Sequence, residues 1–341
     1  MFTKTFMGYA AKAKGQPLEP LFYPPPRLGE QDVRVAVTHC GVCHTDLSAI
    51  DDYYRITEYP FVPGHEIAGI VSEVGKNPNG LKEGDRVGIG WQGRSCGKCE
   101  WCKLGEVNLC LDIIDGATWV PYGGFSSSVV VNSRFAYPLP HALSSETAAV
   151  LMCAGITVFT PLQAYAGTIP QKLGIIGVGG LGHLAIQFAH ALGYEVTAIS
   201  TSADKKTEAV GFGADQFLLL DDQAGLEEAE FYFDLLLCTV PGDMEWEPVL
   251  DTLKKRGRMV LVGFPRMSFK TRDLLSHELS ITGSFLGNHD AMREMLTFAA
   301  AQKITPKVEL MPMSLVNEVI QKVKENRARY RVVLVNDIPE I

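Results

Sequence analysis

Residues 172–182 read KLGIIGVGGLG, and this stretch decides the fold of the second half of the chain. An apolar, strand-like run is followed directly by glycines with the spacing G-x-G-x-x-G. Glycine permits a tight turn and close approach of the backbone to a pyrophosphate, and a helix N-terminus favours the anion. We therefore predict a dinucleotide-binding turn. Its predicted contact residues are Gly177, Gly179, Gly180, Leu181 and Gly182.

Downstream of these glycines, helical and strand-like segments alternate. Apolar residues recur at helical spacing over 184–192, and strand-like runs follow at 194–200, 233–240 and 256–263. Strands that alternate with helices form a parallel, doubly wound sheet, the Rossmann arrangement. The sequence therefore predicts an α/β fold with a Rossmann dinucleotide-binding domain over residues 151–289.

The first part of the chain has a different texture. Residues 1–150 are rich in Gly and Pro, with short β-branched runs such as DVRVAVTH (32–39) and EIAGIVSEVG (66–75) between turns. This pattern indicates a β-rich, barrel-like domain. From about residue 290 the chain becomes helical again and ends on the strand-like RYRVVLV, so we assign residues 290–341 to the same β-rich domain.

The end of the second predicted Rossmann strand indicates which dinucleotide is bound. NAD-binding folds usually place Asp or Glu there to hold the ribose 2′-hydroxyl. This chain instead has Ser200, Thr201 and Ser202. Lys205 follows closely, and hydroxyls with a cation suit a 2′-phosphate that a carboxylate would repel. We therefore expect NADP(H) bound by these four residues, while Asp204 keeps NAD(H) open as the alternative.

Four of the eight cysteines fall within residues 96–110, with the spacing C-x2-C-x2-C-x7-C. In a long chain without an export signal, metal binding explains such clustering better than disulfides. Four thiolates complete the tetrahedral coordination of zinc and leave no position for a substrate, so the predicted role is structural. A redox or iron–sulfur cluster is the alternative. The predicted ligands are Cys96, Cys99, Cys102 and Cys110.

Three further candidate ligands are far apart in sequence. Cys43 lies in CGVCHTD, His65 in VPGHE and Cys153 in MCAG. Taken singly, each has an ordinary structural explanation, because an isolated Cys is most often a small buried hydrophobe. Cys40 and Cys43 also form C-x-x-C, but the thioredoxin-like version of that motif belongs in a βαβ setting. Spacing alone leaves the role of all three residues open.

The motifs CGVCHTD, VPGHE, the four-cysteine loop, MCAGITVF, GVGGLG and GSFLGN occur in the order typical of zinc-containing medium-chain dehydrogenases. The resemblance runs nearly end to end, and GWQGRSCGKCEWC, AISTSADKK and RYRVVLV resemble the cinnamyl-alcohol-dehydrogenase-like branch of aldehyde reductases. It implies a GroES-like fold for the β-rich domain. It also implies a catalytic zinc held by Cys43, His65 and Cys153 with an open fourth position. Two zinc ions per chain are therefore expected.

The same resemblance implies roles for four residues around that zinc. Glu66 matches the family's inner-sphere carboxylate, a transient ligand during exchange. Asp46 would accept the second ring N–H of His65 and fix its tautomer. Thr45 matches the family's hydroxyl relay for the substrate proton. Arg331 resembles the arginine that contacts the cofactor's pyrophosphate, and the nearby Arg329 is the alternative for that position.

Two positions around the substrate are less typical of the family. Many members carry a histidine where this chain has Ser48, and serine is not a base at neutral pH. We therefore expect the last proton step to pass through water or His44. Trp91, Trp119 and the pair at 285–286 match positions lining the substrate channel, where aromatic walls suit aryl or medium aliphatic aldehydes. Plain core packing is an equal alternative for them.

Bulk properties narrow the setting of the protein. The 341 residues carry a formal net charge of −8, which argues against a nucleic-acid partner. The start MFTKTFMGYA has no signal architecture, and no apolar run approaches the ~18 residues of a membrane span, so a cytoplasmic protein without membrane association is expected. The stretch HELSITGSFLG resembles the strand through which family members pair, which predicts a homodimer.

The predicted activity is zinc-dependent interconversion of primary alcohols and aldehydes by hydride transfer with NADP(H), mainly as an aldehyde reductase. An NAD-dependent dehydrogenase of polyols or secondary alcohols is the alternative among enzymes. A non-catalytic zinc- or dinucleotide-binding protein is the alternative from another class. The trio of ligands together with Thr45 argues against it, since a binding protein has no need for an open metal site.

Overall fold

The computed structural model describes residues 5–167 and 171–339. The chain divides into two compact units. The first comprises Met1–Cys153, Gly287–Ala300 and Thr305–Ile341, and the second comprises Ala154–Leu286 and Ala301–Ile304.

The strands are numbered in chain order. They are β1 (Phe6–Ala11), β2 (Leu18–Tyr23), β3 (Asp32–Gly41), β4 (Glu66–Val74), β5 (Arg86–Ile89), β6 (Ser128–Asn132), β7 (Tyr137–Pro138), β8 (Lys172–Ile176), β9 (Glu195–Ser200), β10 (Gln216–Leu219), β11 (Phe233–Cys238), β12 (Leu253–Leu261), β13 (Ser280–Gly283), β14 (Val308–Pro312) and β15 (Arg331–Val335).

The helices are numbered in the same way. They are α1 (His44–Ile50), α2 (Glu100–Lys103), α3 (Ser145–Val150), α4 (Ile156–Tyr165), α5 (Gly182–Ala191), α6 (Lys206–Gly211), α7 (Gln223–Glu228), α8 (Glu247–Asp251), α9 (Thr271–His277), α10 (His289–Gln302) and α11 (Val316–Lys324). One turn of π-helix, Leu151–Gly155, joins α3 to α4.

The first unit is built on a seven-stranded sheet with the order β14-β15-β3-β4-β5-β7, in which β6 also pairs with β3. Strand β3 is central because it pairs antiparallel with β15, β4 and β6. Its valines Val33, Val35 and Val37 alternate along the strand and are buried in the core. The ends of β3 and β4 carry the ligands described below, so this sheet positions the metal site.

The second unit contains a six-stranded sheet with the order β10-β9-β8-β11-β12-β13, in which every neighbouring pair is parallel. This is the doubly wound Rossmann order, with β8 and β11 on either side of the point where the order reverses. The predicted fold class, a Rossmann sheet with a β-rich GroES-like domain, is confirmed.

The glycine turn between β8 and α5 has specific steric reasons for its composition. Gly177 has φ +96°, a left-handed conformation that L side chains rarely adopt. A Cβ on Gly182 would lie 1.7 Å from the Gly177 carbonyl oxygen, so only glycine lets the helix begin there. A Cβ on Gly179 would meet nothing within 4 Å, which leaves its backbone open to a ligand.

One helical stretch has the length and mean hydropathy of a membrane span, although polar residues interrupt its apolar run. Ser145–Tyr165 is long and apolar enough to cross a membrane, but 83% of its most apolar window is buried inside the protein. Burial of that kind is typical of a core helix.

Candidate active site and zinc centres

Two groups of metal-ligand side chains come together in the first unit. In each group, one ligand atom per residue lies within 4.8 Å of all the others. The first group contains Cys43, His65 and Cys153, which we call the trio, together with Glu66. The second, which we call the loop cluster, contains Cys96, Cys99, Cys102 and Cys110.

Cys43 is fixed at the junction of β3 and α1. It occupies the N-cap position of α1, with extended backbone angles of φ −110° and ψ 154°. Its backbone N–H donates to Asp46 Oδ2 at 3.0 Å, so a carboxylate three residues further along closes the first turn. The first turn of α1 therefore fixes the position of the Cys43 thiol.

His65 is oriented by the same carboxylate. Its Nδ1 donates to Asp46 Oδ1 at 2.8 Å, and the Gly64 N–H donates to that oxygen at 3.0 Å. Gly64 has φ +104°, and a Cβ there would lie 2.6 Å from the backbone nitrogen of Phe125, so the turn before His65 requires glycine. Asp46 is fully buried, and this geometry is the one expected of an aspartate that fixes a ligand histidine.

The free nitrogen of His65 provides a test of the metal assignment. Its Nε2 is buried and has no hydrogen-bond partner within residues 5–167 and 171–339. A buried nitrogen without a partner is costly unless another ligand satisfies it. The two thiols nearby complete a Cys2His donor set, which suits zinc and leaves one position open. The residues present therefore fit a catalytic zinc.

Cys153 reaches the trio from the π-helical turn Leu151–Gly155, and local π-helix is frequent at functional sites. A hydrogen bond with Cys153 lowers the pKa of the Cys43 thiol well below its ordinary value. The same hydrogen bond, together with burial, raises the pKa of Cys153. The two thiols are therefore unequal, and Cys43 is the one whose thiolate, the form that binds a metal, is favoured.

Glu66 is buried beside the trio, and Arg331 holds one of its two oxygens. Arg331 Nη1 donates to Glu66 Oε1 at 3.0 Å, while Oε2 has no partner among the described residues. Burial raises the pKa of Glu66 to about 8, although Arg331 opposes the shift. A Cβ on Gly41 would lie 2.1 Å from Oε2, so glycine makes room for this carboxylate. The predicted pyrophosphate contact of Arg331 stays a prediction.

An aromatic wall adjoins the ligand histidine. Trp119 is buried and meets His65 edge to face, with ring centroids 5.6 Å apart. Trp91 contacts Trp119 at 5.3 Å in the same geometry. Phe61 also meets Trp119 edge to face, with ring centroids 5.7 Å apart. Trp119 belongs to the buried core of the first unit and Trp91 packs against it, whereas Phe285 is 42% exposed, so the substrate-wall role of these residues stays a prediction.

The loop cluster is held by its own backbone. The Cys96 N–H donates to Cys110 Sγ and the Cys99 N–H donates to Cys96 Sγ, both at 3.4 Å. Such N–H···S bonds favour thiolates. Hydrogen bonds from the backbone of Leu111 and Cys102 lower the pKa of Cys99 to about 6. Burial raises that of Cys102 to about 12. All eight cysteines are free thiols, so a four-thiolate zinc site fits the loop better than disulfides.

The predicted 2′-phosphate contacts follow β9 in the second unit. Ser200 is buried, and its hydroxyl accepts a hydrogen bond from the Ser202 N–H at 3.2 Å. Thr201 is exposed and Ser202 is half-buried. Lys205 ends a short 3-10 helix, Ala203–Lys205, directly before α6. These four residues thus lie in the segment between the end of β9 and the start of α6, and their contact with a 2′-phosphate stays a prediction.

Two features of the first unit were not found from the sequence. The hydroxyl of Tyr54 interacts with the side chains of Thr45 and Ser48. Away from the trio, the Tyr137 hydroxyl bonds to Nδ1 of the buried His289 at 2.7 Å. Neither pairing follows a helical or strand period, so no pattern in the sequence indicates it.

A chain with a Rossmann sheet, a Cys2His trio and a closed four-cysteine loop falls in the class of zinc-containing dehydrogenases. Two family models match it: the alcohol dehydrogenase GroES-like domain over residues 29–141 and the zinc-binding dehydrogenase over residues 180–301. The probable cinnamyl alcohol dehydrogenase 3 of Oryza sativa subsp. japonica is 38% identical over 338 residues, 96% of this chain and 92% of that protein. The chain belongs to the zinc-binding alcohol dehydrogenase family.

Solved structures agree with this assignment. A cinnamyl alcohol dehydrogenase from Sorghum bicolor superposes with a TM-score of 0.92 at 37% identity, covering 97% of this chain and 98% of that one. A cinnamyl alcohol dehydrogenase from Helicobacter pylori, complexed with NADP(H), gives 0.88 at 28% identity, with 97% and 98% covered. The predicted resemblance is confirmed, and the protein is a zinc-dependent oxidoreductase of alcohols and aldehydes.

Proposed function

We propose that the protein acts mainly as an NADPH-dependent reductase of aromatic and medium aliphatic aldehydes, with Cys43, His65 and Cys153 holding the catalytic zinc. The observation that carries the proposal is the trio itself. It offers two thiols and a buried, unpartnered imidazole nitrogen, with Asp46 fixing the ring. Three protein ligands leave the open position that a catalytic zinc needs and a structural zinc does not.

When bound, zinc polarises the substrate oxygen and NADP(H) carries the hydride. The chain's own residues prepare the site. Asp46 keeps Nε2 of His65 pointed at the other ligands, and Glu66 offers its free Oε2 as a transient ligand. Arg331 fixes the position of Glu66 by donating to its Oε1. Thr45 lies in the first turn of α1, two residues from Cys43, where its hydroxyl exchanges a proton with the substrate oxygen.

The preference for NADP(H) is supported by the turn after β9. Ser200, Thr201, Ser202 and Lys205 gather there, without a carboxylate at the strand end. The NADP(H) complex of the H. pylori relative supports the same cofactor. A charge-assisted bond from Lys205 to a 2′-phosphate is worth roughly 1.5 kcal/mol, or about tenfold in binding.

The aldehyde class is supported by Trp119 and Trp91, which form an aromatic wall beside His65. A flat apolar wall next to a metal ligand favours substrates with an aryl or alkyl body and one polar end. The cinnamyl alcohol dehydrogenases among its relatives point to the same class.

A panel of aldehydes and alcohols, run with both cofactors on zinc-replete protein, tests the proposal. We expect higher kcat/KM for aryl aldehydes with NADPH than with NADH. Lys205→Ala should lower kcat/KM with NADPH about tenfold and leave NADH unaffected. The neighbouring Lys206→Ala serves as the matched control and should change neither. A preference for NADH with polyols would establish the NAD-dependent alternative instead. No turnover with any aldehyde would favour the non-catalytic zinc- or dinucleotide-binding protein.

We also propose a cytoplasmic homodimer. Eight free thiols and no disulfide fit a reducing compartment. Strand β13 is an edge of the six-stranded sheet, and an edge strand can pair with that of a second copy. Light scattering should give twice the chain mass of 37.3 kDa, and a monomer would refute the pairing.

A further inference from the structure

Helix α1 carries two hydroxyl side chains on one face. Thr45 and Ser48 are three residues apart, so they are neighbours on the helix surface. Both are half-buried, while His44 on the same helix is exposed. The Thr45 hydroxyl therefore has a second hydroxyl, that of Ser48, beside it on the same helix. Serine, however, is not a base at neutral pH.

The chain turns back directly after α1, and this turn brings Tyr54 towards the helix face that carries Thr45 and Ser48. The Tyr53 N–H donates to the Ser48 carbonyl at 2.8 Å, and Asp52 has φ +44°. Asp52 Oδ1 accepts from the N–H groups of Ile56 and Thr57 at 2.9 and 3.0 Å, which closes the turn. This geometry fixes where the ring of the next residue lies.

That next residue is Tyr54, a half-buried tyrosine whose hydroxyl interacts with the side chains of both Thr45 and Ser48. Its ring is braced edge to face by Tyr53, with centroids 5.4 Å apart. The three hydroxyl groups thus form one connected set that begins two residues from the ligand Cys43. Each hydroxyl can donate one proton while it accepts another.

We propose that Tyr54 is the residue that continues the proton path beyond Thr45, in the place where relatives use a histidine. The inference rests on the proposed aldehyde reduction. Burial raises the pKa of Tyr54 above that of an ordinary tyrosine, so its phenol keeps its proton at neutral pH. A protonated phenol beside two other hydroxyl groups is suited to passing protons, because it can donate its own proton while it accepts another.

The step balances without any further reactant. In the proposed reduction, NADPH would be oxidised to NADP⁺ as its C–H bond breaks and the hydride forms the new C–H bond at the carbonyl carbon, and the electron pair of the C=O π bond moves to oxygen. The oxygen takes the Thr45 hydroxyl proton, Thr45 takes the Tyr54 proton, and Tyr54 takes one from water, directly or through Ser48. One solvent proton enters for each hydride transferred, and all three hydroxyls end as they began.

Tyr54→Phe tests this role, because it removes one oxygen and keeps the ring. Tyr53→Phe is the matched control, since Tyr53 is 71% exposed and lies one residue away. We expect Y54F to lower kcat at least about tenfold and to leave KM nearly unchanged. The loss of kcat should be smaller than the ~10²–10⁴-fold typical of removing a general acid, because water can partly replace the phenol. Its solvent deuterium isotope effect on kcat should rise, whereas Y53F should match the wild type.

Two readouts separate a proton path from a structural effect. The zinc content of Y54F and its Kd for a non-reacting amide analogue of the aldehyde should equal those of the wild type. Ser48→Ala should give a smaller loss of kcat in the same direction. Equal kcat and isotope effects for Y54F and Y53F, or a change confined to KM, would overturn the inference. Absence of turnover in the wild type would overturn the proposed function as well.

Discussion

The trio and the loop cluster offer zinc the same thiolate chemistry, but the chain builds them in opposite ways. The loop cluster takes four ligands from residues 96–110 and holds them through N–H···S bonds within the loop. The trio gathers ligands from the end of β3, the start of β4 and a π-helical turn. A single loop with four thiols could enclose a zinc ion completely, whereas three ligands from distant elements would leave one coordination position free.

The surroundings of the two groups differ as much as their connectivity. His65 and its partner Asp46 are fully buried, and Cys153 is nearly so. In the loop cluster only Cys110 is buried. Low polarity strengthens electrostatic interactions with a substrate oxygen, so the buried group is the one suited to chemistry. The half-exposed group is suited to tying a loop together.

The largest expected effect is the loss of a trio ligand. Cys43→Ala should abolish turnover, by more than the ~100-fold that loss of a supporting partner costs, and should leave the fold intact. The reason is that the thiol provides a ligand and no core packing. Steady-state kinetics and far-UV circular dichroism check both parts. Cys238→Ala, a buried thiol in the other unit, is the control and should retain activity; equal losses in both variants would contradict the assignment.

The next effect concerns the support of the trio. Asp46 accepts hydrogen bonds from Cys43, Gly64 and His65. Asp46→Asn keeps the size of the side chain but replaces one accepting oxygen with an NH2 group, which cannot accept from these donors. Zinc affinity and kcat should both fall about 10–100-fold. Asp51→Asn, at the other end of α1, should leave both unchanged. Competition with a chelator measures the affinity, and an unaffected D46N would remove Asp46 from the site.

Loss of a loop-cluster ligand should instead appear in stability. Cys99→Ala should lower the free energy of unfolding by at least about 2 kcal/mol, a drop in Tm of about 4–8 °C, because structural zinc contributes to folding. Molecules that remain folded should keep kcat within about twofold. Differential scanning calorimetry with activity measured on the soluble fraction provides the check. A C99A variant that is stable but inactive would indicate that the loop cluster is the catalytic site and the trio the structural one.

The smallest effect tests a buried histidine that belongs to neither group. Burial, with Arg134 and Arg293, lowers the pKa of His289 to about 4. Between pH 6.5 and 4 the unfolded chain therefore binds a proton that the folded chain does not, so stability falls as pH falls. At pH 5 the contribution is about 1–2 kcal/mol.

His289→Asn keeps an acceptor for Tyr137 and should flatten this part of the Tm–pH profile relative to wild type. Acid also protonates the zinc ligands, but it does so equally in both proteins, so the difference isolates His289. The exposed His141→Asn should follow the wild-type curve. Parallel curves for H289N and wild type would show that His289 is not held neutral.

How much the sequence predicts depends on how local each feature is. The glycine turn at 177–182 and the loop cluster are contained in short stretches, and their spacing alone indicated a Rossmann sheet and a four-cysteine site. Cys43, His65 and Cys153 are separated by up to 110 positions, so only the family resemblance connected them. The Tyr54 contacts depend on the left-handed turn at Asp52, which no spacing rule predicts.

The apolar stretch around Leu151 shows a different limit. Composition did not indicate a helix of spanning length at Ser145–Tyr165, because the count of consecutive apolar residues ignores the small polar residues that a buried helix tolerates. The pairing of Arg331 with Glu66 likewise depends on where β15 lies in the sheet. Side-chain partners across a sheet follow from register, which the linear sequence does not display.

Zinc counting by elemental analysis on the wild type, Cys43→Ala and Cys99→Ala tests the central claim most directly. Two separate sites with separate roles predict two zinc ions per wild-type chain and one in each variant, with turnover retained only where the trio is intact. One zinc per wild-type chain, or loss of both ions from Cys43→Ala with the fold unchanged, would contradict it.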